Sequence, residues 1–206
     1  MVLMPERCAF WPARRMLLVA DLHLGKCETF RAFGAALPIG VNGEMLARLA
    51  AAAKRTEALS IVILGDLLHA PVGVTECLID EVASWRAAVG AEILVVPGNH
   101  DRSLSRVLGP WKMERMEPGT RDGPFAFHHH PHTIEQTFVW CGHEHPAKTF
   151  RRGSESIKLP GFLIGTSVGI LPAFTSFAAG GGPCVGGRFF PIVGKEVSMP
   201  LEPRLV

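Results

Sequence analysis

LSIVILGDLLH, residues 59–69, decides how this chain folds. Leu59–Leu64 is a short uncharged run, mostly β-branched or leucine, and Gly65-Asp66 closes it. Such a run predicts a strand buried on both faces, as in a parallel sheet. Upstream, Met45, Leu46, Leu49, Ala50 and Ala53 form one face of a helix from Gly43 to about Arg55, with Asn42 as its cap. Before that helix lies another apolar run, MLLVA at 16–20. Downstream, Thr75 caps a second helix that turns Leu78, Ile79, Val82, Trp85 and Val89 inward. EILVV at 92–96, closed by Pro97-Gly98, is the third buried strand. Strand, helix, strand, helix, strand implies parallel βαβ units. The second half differs: short strands are expected at 125–127, 137–141, 161–164 and 188–193, between Gly- and Pro-rich turns. They suggest a second, more antiparallel sheet. The expected fold is α/β (α+β): a four-layer αββα sandwich, two sheets face to face with helices outside, as a single domain over residues 1–206.

Composition bounds the function. The chain has 206 residues, 48% hydrophobic and 19% charged, which excludes disorder. A formal charge of +2 excludes a strongly basic nucleic-acid coat but leaves room for a local positive site. Five widely spaced cysteines (Cys8, Cys27, Cys77, Cys141 and Cys184) include no CxxC and fit reduced thiols. The apolar run at 16–20 is too short for a signal-peptide core. The apolar region 159–179 is broken by Pro160, Gly161, Gly165, Gly169 and Pro172, which argues against a membrane span. A cytoplasmic protein is expected. Gly180-Gly181-Gly182-Pro183 lacks the GK[ST] ending of a phosphate-binding loop and reads as a flexible loop.

The chemistry lies in nine histidines, all between His23 and His145. Asp21-Leu22-His23 follows the first strand and Gly65-Asp66-Leu67-Leu68-His69 the second. Gly98-Asn99-His100-Asp101 follows the third, His128-His129-His130 the strand at Phe125, and Gly142-His143-Glu144-His145 the strand at 137–141. Each cluster sits at the C-terminal end of a strand, the edge where open α/β sheets bind ligands. Carboxylate, amide carbonyl and imidazole suit Mn²⁺, Fe²⁺ or Zn²⁺, and the absence of cysteine argues against structural zinc. In Asp-x-His, alternate residues of an extended segment point the same way, toward one ion. His132, beside Pro131, reads as a solvated histidine, and Cys141 as a buried inert thiol.

The order DxH, GDxxH, GNHD, H, GHxH resembles that of the calcineurin-like metallophosphoesterase superfamily, over roughly residues 16–146. Further stretches resemble its branch of ligase-associated DNA damage response endonucleases. These are Asp21-Leu22-His23-Leu24-Gly25-Lys26, Thr29-Phe30-Arg31, Leu37-Pro38-x-Gly40, Gly98 through Arg102, His129-His130-Pro131, Gly142-His143-x-His145-Pro146, and Leu171-Pro172-Ala173-Phe174.

The resemblance implies the metallophosphoesterase fold and two divalent metals, Mn²⁺ first, with Asp21, His23, Asp66 and His145 at one and Asp66, Asn99, His143 and a histidine after Phe127 at the other. The family places that histidine two residues past an apolar strand residue, which selects His129 with His128 as runner-up; strand alternation agrees. A metal-bridging hydroxide would attack phosphorus in line. His100 would stabilise the transition state or protonate the leaving oxygen, and Asp101 would orient it, unless Asp101 merely caps the helix starting near Ser103. His69 would support rather than ligate. Lys26, Arg31 and Arg102 would bind flanking phosphates. The resemblance further implies a DNA endonuclease or phosphodiesterase in repair, partnered by an ATP-dependent DNA ligase, a helicase-like protein and a metallo-β-lactamase-fold exonuclease. The competing readings are a phosphodiesterase or phosphatase for nucleotides or other small phosphoesters, and a non-catalytic scaffold. The scaffold reading predicts eroded ligand positions, and every position is filled.

Overall fold

In the computed structural model, residues 1–178, 180–181 and 186–200 are described. Gly182, Pro183 and Cys184, part of the glycine-rich loop and one of the expected thiols, lie outside them.

The three expected parallel strands are β3 (Met16–Val19), β4 (Ser60–Leu64) and β5 (Glu92–Val96), paired in that order. Two short strands, β1 (Val2–Met4) and β2 (Cys8–Trp11), extend the sheet antiparallel beside β3, and β6 (Glu114–Arg115) adds a parallel edge beside β5. Alternate side chains leave opposite faces of a strand. Leu17, Val19, Ile61, Ile63, Ile93 and Val95 therefore pack one way, into a core shared with α2 (Val41–Thr56), α3 (Glu76–Ala88) and α4 (Leu104–Leu108). Leu18, Val62, Leu64 and Val96 pack the other way, against Phe127, Trp140 and Phe162. The uninterrupted apolar runs are buried on both sides because each strand is the middle of a layered stack.

Thr75 caps α3 as expected, accepting from the Leu78 N–H at 3.2 Å. Asn42 does not cap α2. The helix begins earlier, at Val41, after a left-handed Gly40. Asn42 is buried in its first turn, and its Oδ1 accepts from the Gly25 N–H at 3.4 Å, tying the helix to the DLHLG segment. Of the predicted inner face, Met45, Leu46, Leu49 and Ala53 are buried; Ala52 is buried with them, while Ala50 is only partly covered.

The second sheet runs β14 (Glu196–Val197), β13 (Arg188–Val193), β11 (Glu155–Ile164), β12 (Val168–Ile170), β9 (Phe138–Cys141), β8 (Phe125–Phe127), β7 (Thr120–Asp122), with β10 (Ala147–Arg152) paired to β11. It is mixed, because β8, β9 and β12 are parallel neighbours. Face-to-face mixed sheets agree with expectation. Helices α2, α3 and α4 pack on the first sheet. The outer face of the second carries Cys141, Leu163, Ile170 and Phe189, with Phe150 and Val168 packed on them. Among the described residues, no helix is long and apolar enough to cross a membrane.

Candidate metal centre

The strand ends at β3, β4, β5, β8 and β9 bring every expected ligand to one edge of the two sheets. The loops after β3 and β4 run side by side: the His23 N–H donates to the Asp66 carbonyl and the Leu24 N–H to Leu67, both at 2.8 Å. The His69 N–H donates to Leu24 at 3.0 Å. This pairing turns the two carboxylates into one buried cluster; Asp21 and Asp66 are 0% and 2% exposed.

Two ligand groups emerge. In the first, side-chain atoms of Asp21, His23 and His145 lie within 4.8 Å of one another. His145 Nε2 is 3.4 Å from Asp21 Oδ1 and His23 Nε2 is 3.9 Å from Asp66 Oδ2. In the second, His129 Nε2 faces Asn99 Oδ1 at 3.0 Å, His143 Nδ1 at 3.2 Å and Asp66 Oδ2 at 3.5 Å. Asp66 reaches both groups. The structure brings His129 here; the ring of His128 stacks instead on His132.

The donor chemistry fits a cation. His129 Nδ1–H donates to the Leu64 carbonyl at 3.0 Å, so in the neutral ring Nε2 points a lone pair at other lone pairs, a clash that a proton or a cation relieves. His145 Nε2 and His23 Nδ1 are buried without a hydrogen-bond partner. Burial opposes both charges of the His129–Asp66 pair, yet their mutual hydrogen bond and attraction win. They hold the Asp66 carboxyl down at about 2, helped by the His100 N–H, and raise His129. Burial lowers His23 to about 3 against the pull of Asp66. A carboxylate kept ionised beside an imidazole kept neutral is the state a divalent ion needs.

The supporting shell is dense. The His143 N–H donates to Asp21 at 2.9 and 3.2 Å. A side chain on Gly98 would collide with Asp66 Oδ1, and one on Gly142 would come within 2.6 Å of Asp21 Oδ2. The Leu171–Phe174 motif, unexplained in sequence, has a structural role here. The Phe174 and Thr175 N–H groups donate to the Ala20 and Asp21 carbonyls at 2.8 and 3.2 Å. Arg48 lies over the Phe174 ring and donates to its carbonyl. Arg48 gave no signal in sequence, because nothing local marks a helix arginine that reaches a distant loop.

His100 lies beside the cluster, its ring 5.0 Å from that of His23. Its orientation departs from expectation: His100 Nδ1 bonds the His69 carbonyl at 2.8 Å, not Asp101. The Asp101 carboxylate instead accepts from the Leu68 and Gly98 N–H groups, each at 2.8 Å, and the N-cap position of α4 is Ser103, which makes no side-chain cap bond, not Asp101. A buried carboxylate satisfies backbone donors before it reaches a neighbouring ring. His69 meets His100 through that carbonyl, and its ring stacks on His100 at 5.2 Å. Lys26 opens α1 (Lys26–Ala32), a helix not foreseen. Arg102 is exposed beside His100, while Arg31 is already engaged by Glu28 and the Pro38 carbonyl, each at 2.8 Å. Cys141 is a buried free thiol whose pKa burial drives upward.

A two-sheet α/β sandwich with seven Asp, Asn and His side chains at its strand ends is an architecture that suits a metal-dependent hydrolase. Residues 14–153 match the model of the calcineurin-like phosphoesterase family, and the chain belongs to that family. It is a metal-dependent phosphoesterase. The crystal structure of the Pseudomonas putida nuclease MPE is similar at a TM-score of 0.82 and 30% identity, over 96% of this chain and 93% of that one. A protein of unknown function from Aquifex aeolicus, AQ665, aligns over 70% of this chain and 58% of that one, at a TM-score of 0.35 and 15% identity, too low to bear on fold or function. No curated protein matches.

Proposed function

We propose that this chain, as one metallophosphoesterase domain over residues 1–206, is a Mn²⁺-dependent DNA endonuclease or phosphodiesterase acting in cytoplasmic DNA repair. One observation carries the reading: all seven ligand side chains converge on one edge, in a chain similar over nearly its whole length to a nuclease. Asp21, His23, Asp66 and His145 would hold one ion and Asp66, Asn99, His129 and His143 the other. Bound there, divalent metals supply a water of lowered pKa and neutralise phosphoryl charge. The protein keeps Asp66 ionised and His23 neutral, the states a metal needs, while His129 would give up a proton as the ion binds. His100, held through Nδ1 by the His69 carbonyl, presents Nε2 toward the leaving oxygen as proton donor or charge stabiliser. Asp101 positions the turn that carries Asn99 and His100. Lys26 and Arg102 face flanking phosphates; Arg31 contributes less, being paired internally. Partnership with an ATP-dependent ligase, a helicase-like protein and a metallo-β-lactamase-fold exonuclease rests on the resemblance of the sequence motifs alone.

The test is metal-stripped protein given Mn²⁺, Fe²⁺ or Zn²⁺ with single- and double-stranded DNA beside bis-p-nitrophenyl phosphate. DNA cleavage highest with Mn²⁺, lost in Asp66→Ala and His100→Ala, is expected. Hydrolysis of the small ester without DNA cleavage would move the assignment to small phosphoesters. Unchanged hydrolysis in both variants would remove the catalytic reading.

A further inference from the structure

Beside the metal centre lies a cleft of about 500 Å³, in the range of small-ligand sites, with walls that include Lys26, Phe30, Leu37 and Phe177. Phe30 and Phe177 are 43% and 40% exposed, in a chain that buries most of its large apolar side chains. Neither belongs to the metal cluster, yet Phe30 is connected to it by a ladder of rings. Phe30 stacks on His69 at 5.8 Å and 26°, His69 stacks on His100 at 5.2 Å and 15°, and the His100 ring lies 5.0 Å from that of His23. Phe30, partly exposed in the cleft wall, is therefore one end of a nearly parallel stack of three rings whose other end, His100, meets the ligand His23 edge to face. A flat heterocycle laid there would continue the stack. Lys26 is the one cation among the residues that line the cleft, and could meet a phosphate attached to that heterocycle.

We propose that this cleft seats a nucleobase of the substrate strand, stacked on Phe30 and flanked by Phe177, next to the phosphodiester that the metal centre cleaves. This rests on the DNA reading above and adds the element that would choose among phosphodiesters. An aromatic face accepts every base, so the subsite favours nucleic acid over simple esters without reading sequence. A base seated there has left any duplex stack, which makes unpaired strands and extrudable bases the preferred substrates.

The experiment is a double-mutant cycle between side chain and base. Oligonucleotides carrying one abasic site, walked through the positions around the cut, are cleaved with Mn²⁺ by the wild type, Phe30→Ala, Phe30→Trp and Phe177→Ala. The wild type is expected to lose about tenfold in kcat/KM, mostly through KM, when the missing base is at one position beside the cut. Phe30→Ala should lose about as much on the intact strand and little more on that abasic strand, and Phe30→Trp should restore the preference. Phe33→Ala, at the neighbouring helix end and 78% exposed, should behave as wild type. Losses that multiply, or a wild type indifferent to every abasic position while it cuts DNA, would overturn the subsite and leave the nuclease intact. A wild type that cuts no DNA would overturn the nuclease itself, and the subsite with it.

Discussion

Asp21, His23, Asp66, His143 and His145 all have left-handed backbone, with φ between 45° and 72°. Aspartate and histidine tolerate that region better than most side chains, so the residues that ligate also make the tight turns that aim them. Glycine enters where even a methyl is too large. Gly98 backs onto the Asp66 carboxylate without a positive φ, so its requirement is space alone. Gly98→Ala should push Asp66 out of its place between the two ligand groups. Metal content is expected to fall from two Mn²⁺ per chain to one or none, and phosphodiester hydrolysis by about 100-fold. Gly90→Ala, where an added methyl meets nothing within 4 Å, is the control. Elemental analysis of the purified variants decides it; two tightly bound ions in Gly98→Ala would sink the argument. The ligand identities were legible in sequence because each motif follows an apolar run. The left-handed turns were visible only as glycines beside polar residues.

Among elements, the legible strands were those with no polar interruption. β3, β4 and β5 lie within a residue of their predicted limits, as do β8, β9 and β13. β1, β2, β6, β7, β10, β12 and β14 went unread, being short edge or hairpin strands whose stability comes from partners rather than pattern. β11 was seen only at its buried end, 161–164. Its first half, Glu155–Lys158, pairs with β10 in an exposed hairpin and has no apolar period. Side-chain bonds between loops were also beyond local pattern, and Asp101 shows it. Proximity to His100 in the chain suggested a catalytic partner; the folded carboxylate ties the loop after β4 to the turn after β5. In Asp101→Asn the amide can satisfy only one of those two N–H donors. A buried unsatisfied donor costs about 1–3 kcal/mol, or roughly 2–10 °C in Tm at this chain length. Hydrolysis of bis-p-nitrophenyl phosphate should fall with the Tm and recover in part as Mn²⁺ is raised. Loss of activity with Tm unchanged would return Asp101 to a role in the reaction itself.

For the whole molecule, metal and fold stability are one problem, because the cluster joins both sheets. In the metal-stripped protein, burial holds His23 at about 3 and His69 at about 4, against an ordinary value of 6.5. Below pH 6.5 the unfolded chain takes up protons at both residues and the folded chain does not, so stability falls on acidification through pH 4. His23 contributes most of this slope, and the more open His69 less. His129 has the opposite sense: its pKa is raised, so its contribution is complete below pH 6.5 and fades as pH rises through its folded value. Asp66, held at about 2, loses its contribution only as pH drops below the ordinary carboxylate range. Between pH 6.5 and 4 the histidines that burial lowers therefore set the slope. Excess Mn²⁺ adds RT ln(1 + [Mn²⁺]/Kd), but only where protons do not hold His129, so its benefit should be large at pH 8 and small at pH 5. Denaturant unfolding from pH 4 to 8, with chelator or with Mn²⁺, should give two curves that meet in acid and separate with rising pH. A chelated protein equally stable at pH 6.5 and 4.5 would show that His23 and His69 are not held neutral by the fold. Parallel curves would show that the ion does not displace a proton from His129.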